Sequence, residues 1–131
     1  MKEETKLWVE KANKDFERSK LLFEVEDYEG SLFHLQQAIE KFLKAFLIEA
    51  GVFDIRRHKT HNIEFLINEC SKVDEEFKNL MSVDEAKYLS LAVKLRYPFS
   101  LTTRKDIVIN FIEIAEKVKE FVLKKLKEKL E

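Results

Sequence analysis

The chain has 131 residues, of which 45% are hydrophobic and 37% are charged, and its formal net charge is −1. This composition excludes a disordered chain, and the near-zero charge excludes a general electrostatic attraction to nucleic acid or to an anionic membrane. The sequence contains only two Gly and one Pro, which favours helices because tight hairpins need Gly in their turns. We therefore predict an all-α fold, with a single domain over residues 1–131.

The cysteine count, the first residues and the apolar runs indicate where in the cell the protein is located. Cys70 is the only cysteine, so no internal disulfide can form and a cytoplasmic location is expected. Residues 1–15 are charged throughout, unlike a signal peptide. No apolar run approaches the roughly 20 residues that span a bilayer, so no membrane partner is expected. Abundant Lys and Glu with few Asn and Gln resemble a thermophile composition.

Apolar residues recur at three- and four-residue spacing along most of the chain, which predicts five helices. The first covers about residues 4–23 and the second about residues 28–50. Asp27 is the expected N-cap of the second helix, and Gly51 is expected to end it. A third helix is predicted over about residues 62–80.

The second half of the chain carries helix start and stop signals. Ser82 and Glu85 form a capping-box pattern that opens a fourth helix. Pro98 should end this helix, because the residue before a proline leaves the α region. The last helix is predicted from about Thr103 toward the end of the chain. Since short connections favour antiparallel neighbours, we predict an up-and-down antiparallel bundle of four long helices plus one short helix.

The second predicted helix carries a row of polar residues opposite its apolar stripe. Gln36, Glu40 and Lys44 follow each other at i, i+4 spacing, as do Gln37 and Lys41. The pattern alone favours a solvated face with one stabilising Glu–Lys pair. The alternative interpretation is a ligand-binding face.

A longer pattern of residues runs from Trp8 to Pro98. Its most specific parts are the run Gln36-Gln37-Ala38-x-Glu40-Lys41-x-x-Lys44-Ala45 and the later Arg96-Tyr97-Pro98. The remaining members are Trp8, Ala12, Asp15, Tyr28, Ser31, Thr60 and His61. In order and spacing this pattern resembles the HEPN domain, and a closing helix of the expected kind follows it.

The resemblance implies a helical bundle that is usually a homodimer. Family members occur beside or fused to minimal nucleotidyltransferases, where the helical protein resembles a substrate-binding subunit. Other members are ribonucleases, often the toxins of toxin–antitoxin pairs, and nucleotide binding has been proposed more widely. The expected partners are therefore a second copy of the chain, a minimal nucleotidyltransferase and a nucleotide, with RNA less favoured.

The ribonuclease members carry an Arg, then about four to six residues, then a His that moves a proton while the Arg holds the phosphate. Arg96 matches that Arg, but Leu101, Thr102 and Thr103 stand where the His should be. We therefore predict a non-catalytic subunit that binds a nucleotide or assists a nucleotidyltransferase. The alternative is a metal-independent ribonuclease or toxin that uses Arg96 with a relocated His61.

The resemblance and the residue types single out the candidate ligand-binding residues Gln37, Lys41, Lys44, His61, Arg96 and Tyr97. Arg96 could hold a phosphate and Tyr97 could offer a stacking face, or the two could form an ion pair and a packed ring at a helix end. The basic loop of residues 54–61 also has two interpretations. It is either a phosphate site or a solvated segment whose His61 packs at a helix start.

Two further residues are expected to be structural. Cys70 lies on the apolar stripe of the third predicted helix, so a buried and inert thiol is expected. His34 is interpreted as a satisfied surface or interface residue. The His residues lack the i, i+4 pairing of a helical zinc site, so no metal and no cofactor is predicted. A dimerising scaffold whose Phe-rich surface is the whole function is a third possibility.

Overall fold

The computed structural model describes residues 1–91 and 103–128, and the regular structure in these ranges is helical throughout. The helices are α1 (Glu3–Glu24), α2 (Tyr28–Glu49), α3 (Ile55–His58), α4 (Ile63–Val73), α5 (Val83–Ser90) and α6 (Lys105–Glu128), with a 3-10 turn at Glu75–Asn79. The predicted all-α fold is confirmed. None of the described helices combines the length and the apolar character that crossing a bilayer requires.

Helix α2 is the centre of the bundle. It packs against α1, α4, α5 and α6, and its side chains are buried around the helix rather than along one stripe. A helix that is covered on most of its sides is expected to be apolar on those sides. The fully buried apolar residues of α2 include Leu32, Leu35, Ile39, Phe42, Leu43 and Leu47. Any polar residue that α2 also buries must find a partner inside the bundle.

Polar contacts set the register between α1 and α2, which run antiparallel. Thr5, near the start of α1, donates its hydroxyl to Glu49 at the end of α2 (2.9 Å). Ser31, near the start of α2, donates to the backbone carbonyl of Ser19 (2.8 Å). These hydroxyl-bearing residues are fully buried, so a slip of the helices would leave them without partners. The register brings the middle of α1, around Asp15, against the middle of α2.

Helix ends lie where the capping signals predict them. Asp27 accepts a hydrogen bond from the Gly30 amide (2.9 Å) at the start of α2. Gly51 follows the end of α2 with φ +77°, a conformation that glycine tolerates. Ser82 accepts from the Glu85 amide (3.1 Å), and the Glu85 carboxylate accepts from the Ser82 amide (2.9 Å). These contacts confirm the predicted caps of α2 and the capping box of α5.

The third predicted helix is divided in the structure. Helix α4 ends at Val73, and Asp74 adopts an extended conformation (φ −147°, ψ 108°). The Asp74 carboxylate accepts a hydrogen bond from the Glu76 amide (3.0 Å) and so caps the 3-10 turn. That turn still places Phe77 in the core, so the apolar spacing continues although the α-helix does not. The predicted helix end at Pro98 lies outside the described residues.

Candidate functional site

The polar row of α2 is buried rather than solvated. Gln36 is 0% exposed, Glu40 4% and Lys44 5%, so the interpretation as a solvated face is wrong for these three residues, although the expected Glu–Lys pair is present. The row is covered because α1 packs against one side of α2 while His61, just before α4, closes over another. Buried charges must be paired to be tolerated, and the contacts of Glu40 provide that pairing.

Both oxygens of the Glu40 carboxylate are engaged. Oε1 accepts a hydrogen bond from the Lys44 ammonium, one turn further along α2 (2.6 Å). Oε2 accepts from the Gln36 amide, one turn earlier (3.0 Å), and lies 2.9 Å from Nδ1 of His61. Gln36 also donates to the backbone carbonyl of His61 (3.1 Å). Helix α2 therefore holds both the backbone and the ring of His61.

His61 turns its ring outward from this network. Its side chain is 59% exposed, whereas the Glu40 side chain behind it is 6% exposed. Because a carboxylate accepts hydrogen bonds, Nδ1 of His61 carries the proton and donates a hydrogen bond to Glu40. In the neutral ring Nε2 then has the lone pair, which can accept a proton or a hydrogen bond. A carboxylate that holds a histidine in one tautomer is an arrangement that general-base catalysis uses.

A second ion cluster, centred on Asp15, ties α1 to α2. Asp15 is buried, and its Oδ1 lies 2.8 Å from Nδ1 of His34. Its Oδ2 accepts a hydrogen bond from the Lys41 ammonium, and the Arg18 guanidinium lies 3.7 Å from Oδ1. His34 therefore has a partner, which confirms its interpretation as a satisfied residue. The Lys41 side chain is partly exposed and stays within reach of solvent.

Aromatic rings border the Lys44 end of the row. The Lys44 ammonium lies 5.7 Å from the centre of the half-buried Trp8 ring, and the Phe53 ring packs against Trp8 with centres 6.2 Å apart. Trp8 and Asp15 lie on the same side of α1 because their spacing equals two helical turns. They meet Lys44 and Lys41 in antiparallel order. The spacing of Trp8 and Asp15 can be read from the sequence, but it does not tell which lysine of α2 each of them meets.

Comparison with known proteins decides the family. The HEPN domain matches residues 5–126 of the chain. The chain belongs to the HEPN family. A segment of 73 residues is 33% identical to a protein of Methanocaldococcus jannaschii named "Putative toxin MJ1304". That segment covers 56% of this chain and 47% of the relative, so the chain spans about half the length of the relative it matches.

Four of the predicted ligand-binding residues lie on one face of this HEPN domain. Gln37, Lys41 and His61 reach its surface, and Lys44 lies behind them. Gln37 donates a hydrogen bond to the side-chain carbonyl of Gln36 (2.6 Å), which links it to the His61 network. We call this surface the polar face; its members are Gln36, Gln37, Glu40, Lys41, Lys44 and His61.

The other two predicted site residues, Arg96 and Tyr97, lie outside the described residues. Of the three positions at which HEPN ribonucleases carry their His, only Thr103 belongs to the residues that the structure describes. Leu101 and Thr102 fall outside, whereas Thr103 is buried just before α6. A buried threonine hydroxyl does not titrate near neutral pH, so Thr103 does not replace the His.

The basic loop of the HEPN domain is partly helical and is attached to the core. Residues 55–58 form the short helix α3. Within it, His58 is buried, with Nε2 3.0 Å from Glu69 and Nδ1 accepting a hydrogen bond from the Asp54 amide (2.8 Å). These two contacts require a neutral ring with its proton on Nε2. His58 therefore faces α4 whereas His61 faces α2, and the interpretation of the loop as a solvated segment is wrong for His58.

The buried carboxylate of Glu69 gathers three basic groups. Lys72 Nζ lies 2.5 Å from it, the Arg57 guanidinium 2.8 Å and the His58 ring 3.0 Å. Hydrogen bonds from Lys72 and His58, together with the charge of Arg57, hold the pKa of Glu69 below its ordinary value. Glu69 is therefore ionised at neutral pH although it is buried.

Cys70 has the environment predicted for an unreactive thiol. It is fully buried, and its Sγ lies 3.5 Å from the backbone carbonyl oxygen of Leu43. Burial raises the pKa of the Cys70 thiol, so the reactive thiolate is disfavoured. The prediction of a buried and inert cysteine is confirmed.

Proposed function

We propose that this HEPN domain is a binding subunit without ribonuclease activity of its own, and that it holds a nucleotide, as a homodimer, for a partner nucleotidyltransferase. The observation that carries the proposal is the polar face. The Lys41 ammonium is suited to hold a phosphate, and the lone pair on Nε2 of His61 is suited to accept a hydrogen bond from a ribose hydroxyl. The Gln37 amide is suited to a hydrogen-bonding base edge. Each of these side chains already has a protein partner, so little side-chain freedom is lost when a ligand binds.

The sequence supports the non-cutting part of the proposal. After Arg96, the positions of the family's His are occupied by Leu101, Thr102 and Thr103. None of these side chains exchanges a proton near neutral pH, so the acid–base step of the family's ribonucleases has no carrier there. A domain that keeps the Arg without the His is suited to bind a phosphate rather than to cleave at it.

Calorimetry with ATP, and with the nucleotidyltransferase encoded beside this chain, tests the proposal. We expect ATP binding that His61→Ala and Lys41→Met each weaken by about tenfold, since each loses a contact worth about 1.5 kcal/mol. Lys124→Met makes the same change at an exposed lysine of α6, a helix that contributes no residue to the polar face, and is the matched charge control. It should bind ATP as the wild type does. No ATP binding at millimolar concentration, together with no complex with the nucleotidyltransferase, would contradict the proposal.

One observation favours a second candidate function, a metal-independent ribonuclease of the toxin type. Glu40 holds His61 in the tautomer whose Nε2 can take a proton from a ribose 2′-hydroxyl. Arg96 would hold the phosphate during that step. The relative from Methanocaldococcus jannaschii also carries a toxin name.

Incubation of excess protein with a defined RNA separates the two candidates. Cleavage by the wild type that is lost in both His61→Ala and Arg96→Ala supports the ribonuclease. Glu40→Gln keeps the shape of the side chain but removes the charge that holds the ring, so it should lower the cleavage rate and shift its pH profile. RNA that stays intact after a long incubation dismisses the ribonuclease and leaves the binding role.

A further inference from the structure

A cavity of about 350 Å³ opens between α3 and α4. Arg57 and His58 line it from α3, and Glu69 and Lys72 line it from α4. The apolar part of its wall is formed by Leu47, Val52 and Val73. None of these residues belongs to the polar face, so the cavity is a separate feature of the domain.

Glu69 orients two cationic side chains at this cavity. A terminal nitrogen of Arg57 lies 2.8 Å from Oε1 of Glu69, and Lys72 Nζ lies 2.5 Å from Oε2. The Glu69 side chain is 7% exposed, whereas those of Arg57 and Lys72 are 56% and 66% exposed. A molecule that approaches from solvent therefore meets the two cations before it meets the carboxylate.

Both cations keep hydrogen-bond donors for a further acceptor. A guanidinium and an ammonium each carry several N–H donors, and Glu69 engages one nitrogen of each side chain. The other guanidinium N–H groups of Arg57 match the spacing of two oxygens on a phosphate, and Lys72 adds a compact positive charge. Because Glu69 already holds both side chains in position, an oxyanion finds its donors in place.

The exposed charges of the segment that carries α3 are mostly positive. Arg56 and Lys59 are exposed neighbours of Arg57. The Asp54 carboxylate, the other acid of the lining, accepts a hydrogen bond from the Arg56 amide (2.9 Å) at the start of α3. The segment thus has an excess of positive charge in a chain whose net charge is −1.

We propose that this cavity is a second ligand site, which binds a phosphomonoester that carries a small apolar or aromatic substituent. The phosphoryl group lies between Arg57 and Lys72, and the substituent packs on the apolar wall. Ligand cavities range from about 300 to 1,000 Å³, so a cavity at the small end suits a compact molecule rather than a polymer. The site goes beyond the function proposed for the polar face, because it shares no side chain with it.

Calorimetric titration with phenyl phosphate and with inorganic phosphate tests this site. Phenyl phosphate should bind more tightly than inorganic phosphate, because its ring covers the apolar wall. Arg57→Ala and Lys72→Ala should each weaken phenyl phosphate binding by about tenfold, since each removes a charge-assisted hydrogen bond. Arg56→Ala is the matched control, because it removes the same charge from an adjacent residue that does not line the cavity. It should weaken binding by less than about twofold, because a charge that does not contact the ligand acts only through screened attraction.

Two outcomes overturn the site. One is an absence of phenyl phosphate binding to the wild type at millimolar concentration. The other is an equal loss in Arg57→Ala and Arg56→Ala, which would indicate a diffuse effect of charge. His61→Ala separates this site from the polar face, because it should weaken ATP binding and leave phenyl phosphate binding unchanged. Circular dichroism of each variant confirms that it is folded, as expected for exposed side chains such as Arg57 and Lys72.

Discussion

Glu40 and Glu69 are two buried carboxylates with the same kinds of partner. Each takes a lysine one turn further along its own helix, Lys44 at Glu40 and Lys72 at Glu69. Each also takes a histidine from the segment between α2 and α4. Together the two clusters attach this segment to α2 through His61 and to α4 through His58.

The clusters differ in which partner faces solvent. At Glu40 the lysine is buried and His61 is exposed. At Glu69 the histidine, His58, is buried and Lys72 is exposed. The first arrangement offers an imidazole nitrogen to a ligand, and the second offers positive charge. The same three residue types thus produce two surfaces of different chemistry, because α3 turns one histidine inward while the next one lies outside.

The largest expected effect is the loss of Glu40. Glu40→Ala leaves the Lys44 ammonium buried without its counter-ion, and breaking a buried pair in this way costs about 3–5 kcal/mol. Glu69→Ala is the matched comparison. Lys72 then returns to water, so we expect a loss of about 1–3 kcal/mol, arising from the buried N–H of His58. Urea unfolding at neutral pH measures both, and equal losses would contradict the difference between the clusters.

For the histidines, we expect the larger loss of stability at the Glu69 cluster and the smaller loss at the Glu40 cluster. His58→Ala removes a buried ring that packs against Phe53 (5.6 Å between centres) and accepts a hydrogen bond from the Asp54 amide. We expect a loss of about 2–3 kcal/mol, because buried polar groups lose their partners. His61→Ala removes an exposed ring and should cost about 1 kcal/mol or less. Urea unfolding ranks the two variants, and a larger loss for His61→Ala would show that the inward and outward rings are misassigned.

The pH dependence of stability isolates Glu69. Its folded-state pKa lies below the ordinary value of 4.5, chiefly because Lys72 and His58 donate hydrogen bonds to it. As the pH falls, the unfolded chain therefore takes up this proton first. The stabilisation is full above about pH 4.5 and is lost as the pH drops through the folded-state pKa. The urea midpoint of Glu69→Gln should thus fall less steeply than that of the wild type between neutral pH and pH about 3.5.

Two other carboxylates with lowered pKa values, Glu49 and Glu85, provide the internal control for this measurement. Glu49 and Glu85 also have lowered pKa values, mainly because backbone amides donate hydrogen bonds to them. They titrate in both proteins, so only the difference between the two curves reports on Glu69. Parallel curves would mean that Glu69 gains nothing from its partners.

The smallest expected effect is the loss of Lys72. Lys72→Met removes an exposed cation, and exposed ion pairs contribute about 0–1 kcal/mol. The urea midpoint should therefore change little, and the change should shrink further at high salt because the pair is screened. A loss as large as that of Glu40→Ala would mean that Lys72 is not the outward partner.

Much of the fold follows from local patterns. Asp27, Gly51 and the pair Ser82 and Glu85 mark helix ends because their own side chains or backbone conformations satisfy the groups at those ends. Cys70 could be placed inside from its apolar neighbours alone. The third helix was predicted too long, because apolar spacing persists through the 3-10 turn while the backbone changes at the turn's start.

The candidate site was only partly predictable. The family pattern named Gln37, Lys41, Lys44 and His61, and the structure brings them to one face. Their burial and their partners could not be predicted in the same way. Asp15 meets Lys41 across two helices, and nothing in the spacing along one helix tells which residue of another helix will face it.

Residue type and near neighbours in the chain are enough to predict the helical class, the caps of α2 and α5, and the absence of a histidine at the family's positions after Arg96. Packing between helices instead determines that Gln36, Glu40 and Lys44 are buried, that His58 and His61 contact different carboxylates, and that Arg57 and Lys72 meet at one cavity. A helical pattern in the sequence describes how one face of a helix packs, but it does not identify the elements that cover its other faces. Helix α2 has four neighbouring helices, so polar side chains such as Glu40 and Lys44 lie between packed elements, where each charge needs a partner.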